Sequence, residues 1–135
     1  MRDVISRWSP RIDALMQERT LVHGDFNARN TVLKRTGDRW VVSAILDWEM
    51  AFTGSPLWDA ARFICYEKRA RPCREPHFSR GFIDAGGALP PDWPQLARVI
   101  NVFTAAEALC RPDVPHRFVP ELCDLIAALL DERDP

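Results

Sequence analysis

The sequence predicts an α+β fold, several helices around one β-hairpin, and three observations predict it. Two β-rich runs, residues 31–35 and 40–46, flank the turn signal Thr36-Gly37-Asp38-Arg39. Before and after them, apolar residues recur at helical spacing. No repeat or low-complexity stretch divides the chain, so its 135 residues read as a single domain, 1–135.

The elements follow in order. Ser9 as N-cap and Pro10 at the first helical position predict a short helix over 10–19, with apolar Ile12, Leu15 and Met16. After the hairpin, Ser55-Pro56 predicts a cap for a helix to about residue 67, with Leu57, Ala60, Ala61 and Ile64 on one face. Residues 68–75 form a basic, proline-containing loop, and a short helix near 77–85 stops at Gly86-Gly87. Asp92 starts a longer helix in which Leu96, Val99, Ile100, Phe103 and Cys110 keep helical spacing. The proline-rich stretch 112–120 is a connector to a last helix over 118–131, with Leu122, Leu125, Ile126, Leu129 and Leu130 inward.

Composition excludes several function classes. Hydrophobic residues make up 47% and charged residues 27%, the balance of a soluble globular protein. A net charge of −1 gives no field to recruit nucleic acid or a membrane surface. The basic loop lacks the interleaved aromatics of a nucleic-acid site and reads as solvated. No apolar run approaches the ~18 residues of a membrane span, and no signal-peptide core follows Met1. Cys65, Cys73, Cys110 and Cys123 form no Cys-x-x-Cys pair and read as buried or incidental thiols of a reducing cytoplasm.

The chemistry concentrates in the loop 21–30, Leu21-Val22-His23-Gly24-Asp25-Phe26-Asn27-Ala28-Arg29-Asn30, and the segment 45–49, Ile45-Leu46-Asp47-Trp48-Glu49. Folding the hairpin about 36–39 sets residue 30 opposite residue 45, so Asn30 and Asp47 come within ~8 Å. Asp25 arrives on the loop that feeds the first strand, with Gly24 permitting a tight backbone. Two carboxylates and a carboxamide are hard oxygen ligands, suited to Mg²⁺ and not to zinc. A magnesium ion held by few protein groups keeps positions open for phosphate oxygens, which points to phosphoryl transfer. Turn chemistry alone would also use Asp, Asn and Gly, but would not place Asp25, Asn30 and Asp47 around a hairpin. A hydrolytic metal site built on His23 and Asp25 lacks ligands, because His77 and His116 stand outside any motif.

His23-Gly24-Asp25, followed by Asn30 five residues after the Asp, resembles the catalytic loop of the aminoglycoside phosphotransferase and choline kinase group, relatives of the protein kinases. Asp47-Trp48-Glu49 resembles the metal-binding segment of that group, and Gly54-Ser55-Pro56-Leu57-Trp58-Asp59 the turn and helix start that follow it. The resemblance covers residues 10–67 by motif and the later helices by general order. It implies the mainly helical C-terminal lobe of a protein-kinase-like fold and ATP-dependent transfer to a hydroxyl of a small molecule. Asp25 is then the catalytic residue that orients the acceptor hydroxyl and takes its proton, and Asn30 and Asp47 hold Mg²⁺ with ATP. His23 braces the loop, and Asp59 anchors it from the helix below or acts as a plain dipole partner. Glu49 is a partner of the metal ligands or the first polar residue after the strand. Arg29 meets phosphate or solvent. Asn27 stands where protein kinases carry a lysine.

Full kinases of this type grip the triphosphate with a glycine-rich loop and a strand lysine on an N-terminal lobe. No Gly-x-Gly occurs in these residues, and Lys34 and Lys68 both follow the catalytic loop, so the chain contains no candidate for that lysine. The expectation is a C-terminal lobe lacking its nucleotide lobe, inactive alone, whose partners are ATP, a hydroxylated substrate and a missing N-terminal lobe. Such a lobe would leave Asp25 and Asp47 near each other with no cation between them. The alternative is a non-catalytic remnant or interaction module of the same fold. Acidic Asp84, Asp92, Glu107 and Asp113 in the region of the later helices are matched by Arg80, Arg98 and Arg111, so composition does not choose the acceptor.

Overall fold

Three helices supply the core, and their small residues set how closely they meet. The computed structural model describes residues 2–65, 73–112 and 114–131. Helix α1 spans Arg2–Gln17, α2 Leu57–Ile64, α3 His77–Asp84, α4 Trp93–Cys110 and α5 Val119–Asp131. Ile12 and Leu15 of α1, Leu57, Ala60 and Ala61 of α2, and Trp93, Leu96, Ala97, Val99 and Ile100 of α4 form one buried cluster. Ala60, Ala61 and Ala97 let α2 and α4 approach closely, and buried Asn101 of α4 donates its Nδ2 to the Ala61 carbonyl at 2.9 Å. That bond satisfies a carbonyl near the C-terminal end of α2 and fixes the register of the two helices.

Helix α1 corrects the expectation at its start. It begins at Arg2, so Pro10 lies inside it and Ser9 is not its N-cap. Ser6 and Pro10 are both exposed, which leaves the carbonyl deprived of the Pro10 N–H on the solvent side. Tertiary contacts hold the longer helix. The Arg11 guanidinium pairs with both carboxylate oxygens of Asp92, at the N-cap position of α4, and Trp8 packs on the core. Met16 is exposed rather than buried.

The other helices agree with their sequence signals except at the edges. Helix α3 ends as Gly86-Gly87 implied: Gly86, at φ 90°, donates to the Ile83 carbonyl and Gly87 to that of Phe82, both at 2.9 Å. Helix α5 lies against α4 with Leu125 buried, while Leu130 and Cys110, expected on inner faces, are exposed. Residues 66–72, which include most of the basic loop, and Asp113 lie outside the described residues. Among the described residues no helix is long and apolar enough to cross a membrane.

Two small antiparallel sheets, not one hairpin, carry the loops. Strands β2 (Thr31–Thr36) and β3 (Arg39–Ile45) form the expected hairpin. Val32 pairs with Ala44 but Leu33 with Val42, so Ser43 is an extra residue and the strand bulges there. The bulge shifts the register by one beyond it: Thr31, not residue 30, faces Ile45, and the Leu46 amide donates to the Asn30 carbonyl at 2.8 Å. Asp47 therefore stands one residue past the position opposite Asn30 instead of two. The second sheet joins β1 (Thr20–Val22) to β4 (Phe52–Gly54), with Val22 opposite Phe52. At three residues each, these strands are too short to show an alternating pattern in the sequence.

Candidate active site

The loop that leaves β1 is held from two sides. His23 is buried, with 2% of its surface exposed. Asp59, in the first turn of α2, accepts the backbone N–H of His23 at 2.7 Å and that of Gly24 at 2.9 Å. One carboxylate thus satisfies two loop donors that no strand partner reaches. The His23 ring spans to the other side: its Nε2 donates to the Leu46 carbonyl at 2.8 Å, and its Nδ1 accepts the Asp25 amide at 3.2 Å. These partners define the neutral ring with its proton on Nε2. Trp48 covers the ring at 4.6 Å between centroids, and its own Nε1 donates to the Ile45 carbonyl.

Gly24 is required twice over. Its φ is 83°, in the left-handed region, and a Cβ there would lie 2.3 Å from the Met50 carbonyl oxygen. Gly24→Ala is expected to lower the unfolding free energy by about 1–3 kcal/mol from the backbone conformation alone, with displacement of Met50 adding to it. Chemical denaturation of the two proteins measures this. A difference of a few tenths of a kcal/mol would show that the loop bends elsewhere.

Beyond Gly24 the loop wraps around Asp25. Asn27 and Asn30 both donate their Nδ2 to the Asp25 carbonyl, at 2.8 and 3.0 Å, and the Asn30 Nδ2 also meets Asp25 Oδ2 at 3.3 Å. Asn27 Oδ1 caps the 3-10 turn Ala28–Asn30 by accepting the Arg29 amide. The structure therefore brings Asp25 and Asn30 into direct contact. Arg29 itself is exposed.

The sequence reading missed Arg62. From the last turn of α2 its Nε and Nη2 both donate to Asp25 Oδ1, at 3.3 and 3.2 Å. The expectation that the site's carboxylates lack a cation is thereby corrected for Asp25. One turn of α2 separates Asp59, which binds the loop backbone, from Arg62, which binds its carboxylate. Only that i, i+3 spacing could have signalled the pair, and an Arg in a last helical turn is more often a dipole partner. Arg62 also acts on neighbouring Cys65, where burial pushes the thiol up and the guanidinium pulls it the other way.

Asp47 follows β3 with φ 66° and ψ 60°, the one described non-glycine residue with positive φ. It precedes a 3-10 turn, Trp48–Met50, without using its side chain as a cap, and it is exposed. A left-handed Asp costs about 1–3 kcal/mol, and such conformations cluster at functional sites. Glu49, also exposed, lies in the following turn. The register brings the Asp47 backbone beside Asn30, so a carboxylate and a carboxamide oxygen are available at one sheet end. Among the described residues no group of three or more His, Cys, Asp or Glu side chains is placed to hold a metal. The donor set fits a hard ion that takes most of its ligands from elsewhere, as Mg²⁺ does with phosphate oxygens, and does not fit structural zinc.

Of the acids weighed for a cationic acceptor, Asp92 is committed to Arg11, and Asp84 and Glu107 are exposed. No cysteine is in a disulfide; Cys65 is half-buried and the other three are exposed.

A buried histidine strut, a backbone-gripping Asp and an Asp–Asn contact thus meet at one sheet end, on the motif residues that resemble the aminoglycoside phosphotransferase and choline kinase group. Comparison agrees: the profile described as Phosphotransferase enzyme family matches residues 1–99, and the chain belongs to that family. It is also 48% identical over 44 residues to Acyl-CoA dehydrogenase family member 11 of Gallus gallus, a stretch covering 33% of this chain and 5% of that protein. No solved structure matches the chain.

Proposed function

We propose that these residues form the C-terminal catalytic lobe of an ATP-dependent kinase that phosphorylates a hydroxyl of a small molecule, acting in the cytoplasm. The observation that carries the reading is the contact of Asp25 with Asn30, on a loop locked by His23 and Asp59 beside Asp47. Spread through the chain, these residues would be ordinary turn formers; held together they form a transfer site.

Asp25 accepts the hydrogen bond of the acceptor hydroxyl and aims its oxygen at the γ-phosphorus. As the new O–P bond forms, the bond from the γ-phosphorus to the β-phosphate oxygen breaks, the hydroxyl proton passes to Asp25, and ADP leaves. The bonds to Arg62, Asn27 and Asn30 hold the Asp25 carboxylate and backbone in that orientation. Asn30 and Asp47 would hold Mg²⁺, which supplies charge neutralisation along the phosphates. His23, carrying one proton and using both nitrogens in hydrogen bonds, serves as a strut and not as a base.

Positioning of the triphosphate needs a glycine-rich loop and a lysine, and these 135 residues have no Gly-x-Gly and no lysine before Lys34. Calorimetry of this chain with MgATP is expected to show no saturable binding at about millimolar concentration. With a β lobe supplied in cis or in trans, labelled phosphate should pass from ATP to a hydroxylated acceptor. Tight MgATP binding by the 135 residues would refute the lobe assignment. Failure of every lobe-supplied form to transfer phosphate would favour an interaction module.

A further inference from the structure

Arg62, which the phosphotransferase reading uses only to orient Asp25, has the geometry for a second role. Its contact with Asp25 is unusual in form. A guanidinium normally spans both oxygens of a carboxylate, but here Nε and Nη2 converge on Oδ1 alone. Nε and Nη2 are thus both spent on one carboxylate oxygen, and Nη1 takes no part in the pair with Asp25. Both side chains are about one-third exposed, 32% for Arg62 and 34% for Asp25, so solvent and ligands reach the pair. An ion pair of that exposure contributes little stability of its own and leaves the guanidinium open to a second anion beside Asp25.

The surroundings point the same way. Phe26, next to Asp25, stacks on Phe63 at 5.2 Å, and Phe63 on Phe78 at 4.8 Å, forming a half-buried aromatic wall. The Arg74 guanidinium lies over the Phe63 ring, 5.1 Å from its centroid. Arg74 thus brings a second guanidinium to the wall, where its Nη1 also donates to the Phe63 carbonyl at 2.8 Å. An acceptor hydroxyl must come within about 2.6–3.2 Å of Asp25 to be activated, which brings its neighbouring substituents into reach of Arg62. An ammonium there meets a like charge; a carboxylate or phosphate meets a planar fork built for it.

We propose that Arg62 is a specificity-determining residue that grips an oxyanion, a carboxylate or a phosphate, on the same small molecule whose hydroxyl Asp25 engages. The acceptor is then an anionic hydroxylated compound and not a polycation. This inference rests on the phosphotransferase reading for the meaning of the hydroxyl, but the anion site can be tested by binding alone.

The experiment is an NMR titration of the ¹⁵N-labelled 135-residue chain with matched probes: glucuronate, glucose 6-phosphate, glucose and glucosamine, with kanamycin as a polycation. The readouts are the Arg62 Nε–Hε signal and the amides of His23, Gly24 and Asp25. At least one anionic probe should shift these signals saturably, at least about tenfold more tightly than glucose, and glucosamine and kanamycin more weakly still. Which anion wins separates carboxylate from phosphate. Arg62→Gln should remove that about tenfold preference, and Arg62→Lys, which keeps charge but not the fork, should retain part of it. The dispersion of each free variant's spectrum shows that it is folded. The proposal is overturned if neither anion binds at tens of millimolar, if a cationic probe binds as well, or if Arg62→Gln keeps the anion preference. Phosphate transfer to kanamycin by a lobe-supplied enzyme would sink the anion site and leave the kinase reading standing. Anion binding at Arg62 with no transfer by any form would do the reverse.

Discussion

Replacing Asp25 by Asn in a lobe-supplied, active enzyme is expected to reduce turnover by roughly 10²–10⁴ with little change in ATP affinity. The carboxamide is nearly isosteric, so the loop should survive: the Asp25 carbonyl accepts Asn27 and Asn30 and its amide donates to His23, and of the loop's own bonds only the 3.3 Å contact of Asn30 with Oδ2 involves the carboxylate. What is lost is the acceptor for the hydroxyl proton and the charge facing Arg62. Steady-state kinetics with varied ATP and acceptor give the answer. Turnover within a factor of a few of the parent would remove Asp25 from the chemistry, however well it is placed.

Asp47→Ala is expected to reduce magnesium-dependent activity by more than roughly 10² and to weaken nucleotide binding, whereas Glu49→Ala should stay within about tenfold. The backbone complicates the first variant, because Asp47 is left-handed and alanine resists that conformation. Asp47→Gly is the control. Glycine adopts φ 66° without strain, so it removes the carboxylate while relieving the backbone. If the alanine and glycine variants are equally inactive, the carboxylate is responsible; if glycine restores activity, the role of Asp47 is conformational. Greater damage from Glu49→Ala would transfer the metal role to the neighbouring turn.

Much of the fold was legible because its signals are local. The β-hairpin, the helix stop at Gly86-Gly87 and the inward faces of α2 and α4 each rest on residues close in sequence. The failures share a cause. Pro10 reads as a helix start when judged by its neighbours, yet α1 extends back to Arg2 and is tied down by an Arg11–Asp92 pair that spans most of the chain. The hairpin register came out one residue wrong because nothing in the residues 42–44 announces a bulge, and the bulge is a property of the paired strands.

By itself the sequence determined which oxygen donors flank the hairpin, Asp25, Asn30 and Asp47, because they lie close to its two strands along the chain. Only the tertiary structure decided what acts on them. Asp59 and Arg62 reach the loop from 35 to 37 residues away because α2 docks through Ala60 and Ala61 onto α4, with Asn101 setting the register. The Arg62 charge that faces Asp25 is therefore a consequence of how two helices pack. Packing of that kind depends on side-chain volumes summed over distant segments, which no local pattern encodes.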